Sequence, residues 1–229
     1  MREYKLTKTK RKTISIKINE DGTLEVRAPT RLSKKKIDEF VQSKEGWINK
    51  HTEEILKKYK LKKEFTLNFN DYVTIYGKKA YIRPIDGITA KYDEEKEVFY
   101  VPSMVKSNQI KEVIIQLYKL VAKSYIPKTV TFFSKEMKVT PTAVRITSAN
   151  TRWGSCSGKN SVNFSWKLIM ADEETIDYVV VHELAHIKEH NHSQEFWKIV
   201  ESIIPNYKVQ KEKLKELGEK LSMEDWDLK

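Results

Sequence analysis

Residues 173–197 read Glu173-Glu174-Thr175-Ile176-Asp177-Tyr178-Val179-Val180-Val181-His182-Glu183-Leu184-Ala185-His186-Ile187-Lys188-Glu189-His190-Asn191-His192-Ser193-Gln194-Glu195-Phe196-Trp197. Apolar residues at 176, 179, 180, 181, 184, 185 and 187 surround most of the circumference of the helix predicted over about 173–190, the mark of a buried helix. Two imidazoles and a carboxylate are set into it. Residues four apart lie one turn above each other on the same helix face, so His182 and His186 can reach one ion. Each ring nitrogen would then sit about 2.0–2.1 Å from zinc. Glu183, offset by one position, reaches a water on that ion without being a ligand. Two ligands and a base are what an H-E-x-x-H helix requires. Burying these polar groups costs desolvation energy that a bound dication offsets.

An H-E-x-x-H match arises by accident in roughly one chain per hundred of this length, so a third ligand carries weight. His192 follows His186 by six residues, the spacing of the longer pattern H-E-x-x-H-x-x-G-x-x-H. The glycine of that pattern is Glu189 here, so the helix must end differently. A left-handed Asn191 is the predicted terminator. Ser193 is placed to cap a second helix over 193–203, aiming His192 back at the metal. Glu201, Glu212 and Glu216 remain the acidic alternatives, and His190 falls on the surface of the last turn.

Upstream, Val144 and Ile146 begin a strand, and Val162, Phe164, Trp166 and Leu168 alternate with Asn163, Ser165 and Lys167 as in a half-buried strand. The segment between them, Asn150 to Asn160, is a loop or hairpin with two glycines. A hairpin over 144–168 would offer an edge to extended substrate, with Asn163 on it. A tetrahedral oxyanion needs a further donor, and Arg152 and Tyr207 are the candidates. Cys156 has no partner pattern and reads as a small packing residue; Trp153, Trp166 and Trp197 read as core aromatics. A third helix is predicted over 207–221.

The first half has a different texture. Thr13–Ile18 alternates as a strand, Asp21-Gly22 marks a hairpin turn, and Leu24–Arg27 returns. Ser33 caps one long helix carrying Ile37, Phe40, Val41, Trp47, Ile48 and Ile55. Strands follow near 72–76, 79–83, 88–92 and 97–101, with turns at Gly77 and Asp86-Gly87. From Asn108 the apolar stripe Ile110, Val113, Ile114, Leu117, Leu120 and Val121 predicts a helix that Pro127 interrupts or ends. The class is α+β, with a basic β-rich region over 1–104 and a mainly helical metal-binding domain over 105–229.

The 229 residues carry a formal charge of +11. Residues 1–70 hold 19 Lys/Arg against 10 Asp/Glu, and the other 159 hold 24 against 22. The basic first third reads as a lysine-rich solvated surface, since no stacking aromatics accompany it, with nucleic acid or a nucleotide as the alternative partner. A single cysteine excludes an internal disulfide and makes a reducing cytoplasm the expected setting. No apolar run approaches the roughly 18–20 residues that span a bilayer, so no membrane partner is expected.

Three pieces in fixed order, Arg152-Trp153-Gly154-Ser155-Cys156, His182-Glu183-Leu184-Ala185-His186 and Asn191-His192-Ser193-x-x-Phe196-Trp197, resemble the YgjP-like zinc metallopeptidase family, which is related to the SprT-like and WLM zinc proteases. The resemblance extends to Arg11–Ile16 and Pro29. It implies a compact zincin-type core, one zinc per chain on His182, His186 and His192, and a peptide or protein substrate cleaved with Glu183 as general base. Two other readings remain at this point. One keeps the metal and hydrolyses nucleotide phosphoanhydrides, though no phosphate-binding glycine loop is present. The other is a nucleic-acid-associated protein with a structural zinc, which one cysteine disfavours.

Overall fold

The computed structural model describes residues 3–227. Six helices and three small sheets make an α+β protein. Two compact units are present, one running to Phe65 with Lys220–Asp225 added, the other formed by Thr66–Glu219 with the chain from Trp226.

In the first unit, β1 (Lys5–Thr9), β2 (Ser15–Ile18) and β3 (Leu24–Pro29) form a sheet in the order β1-β3-β2. The predicted hairpin is β2–β3, antiparallel, and β1 adds itself parallel to β3. Leu24, Val26 and Ala28 face Ile37, Val41 and Ile48 in one buried cluster. The expected single helix is two, α1 (Lys34–Ser43) and α2 (Glu45–Glu64). Lys44 leaves helical geometry with ψ near 9°, and its N–H turns back to the Val41 carbonyl, three residues earlier. Ser33 caps α1 as predicted, accepting from the Lys36 N–H. Only Ile48 and Thr52 of α2 are buried, so its lysines lie on a solvated surface.

The second unit opens with β4 (Tyr72–Ile75), β5 (Lys78–Ile85), β6 (Lys91–Asp93) and β7 (Val98–Pro102), in the order β4-β5-β7-β6. Tyr76 and Gly77 make the β4–β5 turn with φ of 50° and 74°, the two-residue type I′ geometry that matches strand twist. A Cβ on Gly77 would also lie 2.8 Å from the Cβ of Asp172. Backbone N–H groups of Tyr76 and Gly77 donate to the carbonyls of Ile169 and Met170. This sheet therefore belongs to the same unit as the histidine helix, and the units part at Phe65–Thr66 rather than near residue 105. The change of texture there is the start of α3 (Ser107–Glu136).

Pro127 neither ends nor interrupts α3. Ile126, Val130 and Phe133 are buried on either side of it, and this packing offsets a proline penalty of about 3 kcal/mol. Tyr118 of α3 donates its hydroxyl to the Thr74 carbonyl and packs against Phe99, Trp166 and Trp226.

The third sheet holds β8 (Ala143–Thr147), β9 (Gly154–Cys156) and β10 (Ser161–Ser165) in the order β8-β10-β9. The segment expected to form a hairpin edge places β10 at the centre, parallel to β8 and antiparallel to β9. Asn163 is thus on an interior strand, and β9 is an edge. The alternation through Leu168 also overreaches. The strand stops at Ser165, and Trp166–Met170 form a 3-10 turn buried on all sides, which mimics a strand's apolar positions.

Helices α4 (Glu173–Ala185), α5 (Gln194–Ile203) and α6 (Tyr207–Leu221) complete the unit. Asp172 caps α4 by accepting from the Thr175 N–H. None of the helices among the described residues is long and apolar enough to cross a membrane.

On α4, burial and then the charges of Glu173 and Glu174 push the Asp177 carboxyl up to about 6. The folded chain holds this proton more tightly than the unfolded one, so the associated stability is full below about pH 4 and is lost as pH rises through about 6. With a half-exposed carboxyl the effect is about 1 kcal/mol. Asp177→Asn is expected to be more stable than wild type by that amount at about pH 8, the difference shrinking below about pH 6 and closing below about pH 4. Denaturant titrations of both proteins at matched pH measure it; a constant difference would refute the assignment.

Candidate metal centre

The last turns of α4 are apolar all round, with Val179, Val180, Val181, Leu184 and Ala185 buried. His182, Glu183 and His186 are therefore carried on a helix fixed by packing. The helix ends at Ala185, five residues before the predicted stop. His186 caps it with φ −63° and ψ −17°, and the N–H groups of Ile187, Lys188 and Glu189 fold back onto the carbonyls of Leu184 and Ala185. Tightened turns thus do the work expected of a left-handed Asn191, which does not adopt that conformation. Ser193 then caps α5, its Oγ accepting from the Phe196 N–H.

This reversal brings His192 over the helix. His182, His186 and His192 each offer a ring nitrogen, and the three nitrogens lie within 4.8 Å of one another. The Nε2 atoms of His182 and His192 are 3.1 Å apart, close to the spacing of about 3.3 Å between two nitrogens bound tetrahedrally to zinc. The Nδ1 of His186 is 3.1 Å from the Glu189 carbonyl. As a donor to that oxygen it leaves Nε2 unprotonated, the usual outer-shell support of a ligating imidazole. Burial, followed by the charges of His186 and His192, pulls His182 down to about 3, so its lone pair is free at neutral pH. Burial also lowers His186. Three converging imidazoles suit zinc. His190 is exposed, as expected.

Phe196 is fully buried beneath these rings, with centroids 4.9, 4.5 and 4.8 Å from His182, His186 and His192. Trp197 stacks on His192, and Tyr207 stacks on Trp197. The floor and wall of the cluster are thus aromatic. Phe196 follows His192 by four positions, in the first turn of the helix that Ser193 caps, and its place in the Asn191–Trp197 piece was the available signal. Trp197 is half-buried and forms a wall rather than a core residue; Trp166 alone of the three named tryptophans is in the core.

Glu183 is 6% exposed. Burial pushes its carboxyl up to about 7, against an opposing pull from the Arg152 guanidinium. Strand β9 passes directly over it. A Cβ built on Gly154 would lie 2.6 Å from both Cγ and Oε1 of Glu183, so only glycine fits. Sequence reading missed this residue, although its place in the Arg152–Cys156 piece was visible. The approach to β9 is pinned from below: Ser165 Oγ donates to the Ala149 carbonyl and Lys167 Nζ to the Asn150 side chain.

The remaining site expectations separate. Arg152 is exposed near Glu183. Tyr207 stands behind Trp197 in the aromatic wall. Asn163 donates to Ser155 Oγ across the β10–β9 ladder. Glu201, Glu212 and Glu216 take no part in the cluster, which holds the three histidines. Cys156 is half-buried, with its thiol raised by burial and by Glu183.

No curated protein shows a significant match to the chain. Among solved structures it is similar to the metallopeptidase zymogen abylysin of Pyrococcus abyssi, at 24% identity over 43% of this chain and 97% of that one, with a TM-score of 0.38. A likeness that loose transfers no residue's role. The sequence profile of the YgjP-like metallopeptidase domain, by contrast, matches residues 12–217. With nine-tenths of its length matched, and the histidine cluster inside the matched span, the chain belongs to the YgjP-like metallopeptidase family.

Proposed function

We propose that this protein is a zinc-dependent peptidase in which His182, His186 and His192 hold the metal and Glu183 is the general base. The observation that carries the reading is the convergence of three imidazoles beside one buried carboxylate. When bound, zinc supplies a Lewis acid for the scissile carbonyl and lowers the pKa of a coordinated water to about 7. Glu183 takes a proton at its carboxylate from the attacking water and returns it to the leaving nitrogen. A carboxyl raised to about 7 suits both directions near neutral pH.

The other residues fall into supporting roles. Phe196 and Trp197 exclude water from one side of the histidines and hold their rings. Arg152, exposed beside Glu183, is the donor we assign to the developing oxyanion; Tyr207 stacks on Trp197. Strand β9 pairs on one side only with β10, and its other edge offers backbone groups to an extended peptide at the carboxylate. No observation favours phosphoanhydride hydrolysis over this reading.

The test is metal content and hydrolysis together. Protein purified without a metal-affinity tag is expected to hold about one zinc per chain, and His192→Ala to lose most of it, with a fall of at least about tenfold in affinity. Wild type is expected to cleave an unfolded protein substrate, and a chelator to stop it. A chain that takes up no zinc, or that releases phosphate from nucleotides and leaves peptides intact, would overturn the proposal.

A further inference from the structure

The sheet β4-β5-β7-β6 buries one face through Val73, Ala80, Ile82, Phe99 and Val101. Alternation sends the other residues outward in two cross-strand rows. Tyr72, Tyr81 and Val98 are paired in one, and Arg83, Tyr100 and Lys91 in the next. Tyr72 and Tyr81 are 49% and 43% exposed, with ring centroids 6.2 Å apart. Each tyrosine of this face carries a cation over its ring: Lys79 4.4 Å from Tyr72, Arg83 5.1 Å from Tyr81 and Lys91 5.5 Å from Tyr100. The carboxylate in these rows, Asp93, is already held by the Lys96 backbone N–H and lies 3.7 Å from its ammonium.

We propose that this outer sheet face binds single-stranded nucleic acid, its tyrosines stacking on unpaired bases and its cations meeting phosphates. Large aromatic rings on a solvated sheet face cost stability unless something covers them. Three rings interleaved with three cations match the two components of a single strand, flat bases and regularly spaced anions. A duplex offers the anions but hides the base faces, and a protein partner would not call for one cation per ring. On binding, each cation exchanges its ring for a phosphate while a base takes the ring face. The basic surface of α2 lacks such rings in a sheet and would give charge attraction alone. The proposal is independent of the peptidase reading, since no residue of the face belongs to the histidine cluster.

The test is fluorescence anisotropy of the full chain with labelled oligo-dT and oligo-U of about 16 nucleotides and with a duplex of equal length. Single strands, DNA or RNA, are expected to bind more tightly than the duplex. Tyr81→Ala is expected to weaken that binding about fivefold or more, and Arg83→Glu to weaken it and flatten its salt dependence. Lys57→Glu with Lys58→Glu on α2 serves as the charge control, and the melting temperatures of the exposed Tyr81 and half-buried Arg83 variants verify folding. No binding, equal or tighter binding of duplex, unchanged affinity in Tyr81→Ala, or an equal loss in the α2 control would each overturn the proposal.

Discussion

Glu183→Gln is expected to lower kcat/KM for peptide hydrolysis by about a thousandfold, within the range attributed to a positioned general base, while zinc content stays at the wild-type level. Glutamine matches the shape of glutamate, so the contact with Gly154 and the packing of α4 persist. What it lacks is the ability to accept a proton. The carboxylate is also not among the three side chains whose donor atoms converge, so under the proposed metal site its charge is not needed to hold an ion. Parallel measurements of kcat/KM, metal stoichiometry and melting temperature check this. Retention of more than about a tenth of the activity would place the base elsewhere; loss of zinc would make Glu183 a ligand.

Gly154→Ala is expected to have the next largest effect, and through geometry alone. The new methyl would sit 2.6 Å from Cγ and Oε1 of Glu183 and 2.9 Å from Cδ, closer than any stable contact. The buried carboxylate must yield, because β9 is tied to β10 by Gly154 opposite Phe164 and is anchored next to Trp153, whose carbonyl accepts from the Ser165 N–H. A displacement of about 1 Å at a reacting group costs on the order of a hundredfold in rate. Zinc content should be unchanged, since none of the three histidines is touched. Near wild-type activity would show that Glu183 is not positioned by β9; loss of zinc together with activity would mean that the strand reorganises more widely.

These two variants mark how far the sequence reaches. His182, Glu183 and His186 were legible because helical spacing is a local rule: four residues always make one turn. Ser193 and Ser33 as caps were legible for the same reason, since a hydroxyl before a helical run has one short-range use. His192 needed one more step, a chain reversal whose existence the spacing required but whose form it did not determine. The expected left-handed Asn191 is instead a set of tightened turns ending on Glu189, whose carbonyl orients His186. Tyr207 and Asn163 were proposed for their chemistry; the structure shows their packing and hydrogen-bond partners, Trp197 and Ser155, which chemistry alone does not give.

What the sequence by itself determined is the α+β class, the apolar helix, and the placing of two imidazoles and a carboxylate within one turn of it. All of these depend on periods of two and 3.6 residues within a single element. Only the tertiary structure decided that Phe196 is the floor of the histidines, that α3 runs through Pro127, and that Gly154 lies on Glu183. It also decided that three tyrosines and three cations from β4, β5, β6 and β7 share one face. Each depends on contacts between residues far apart in the chain, where strand order and register are set by the whole packed unit rather than by any neighbouring sequence.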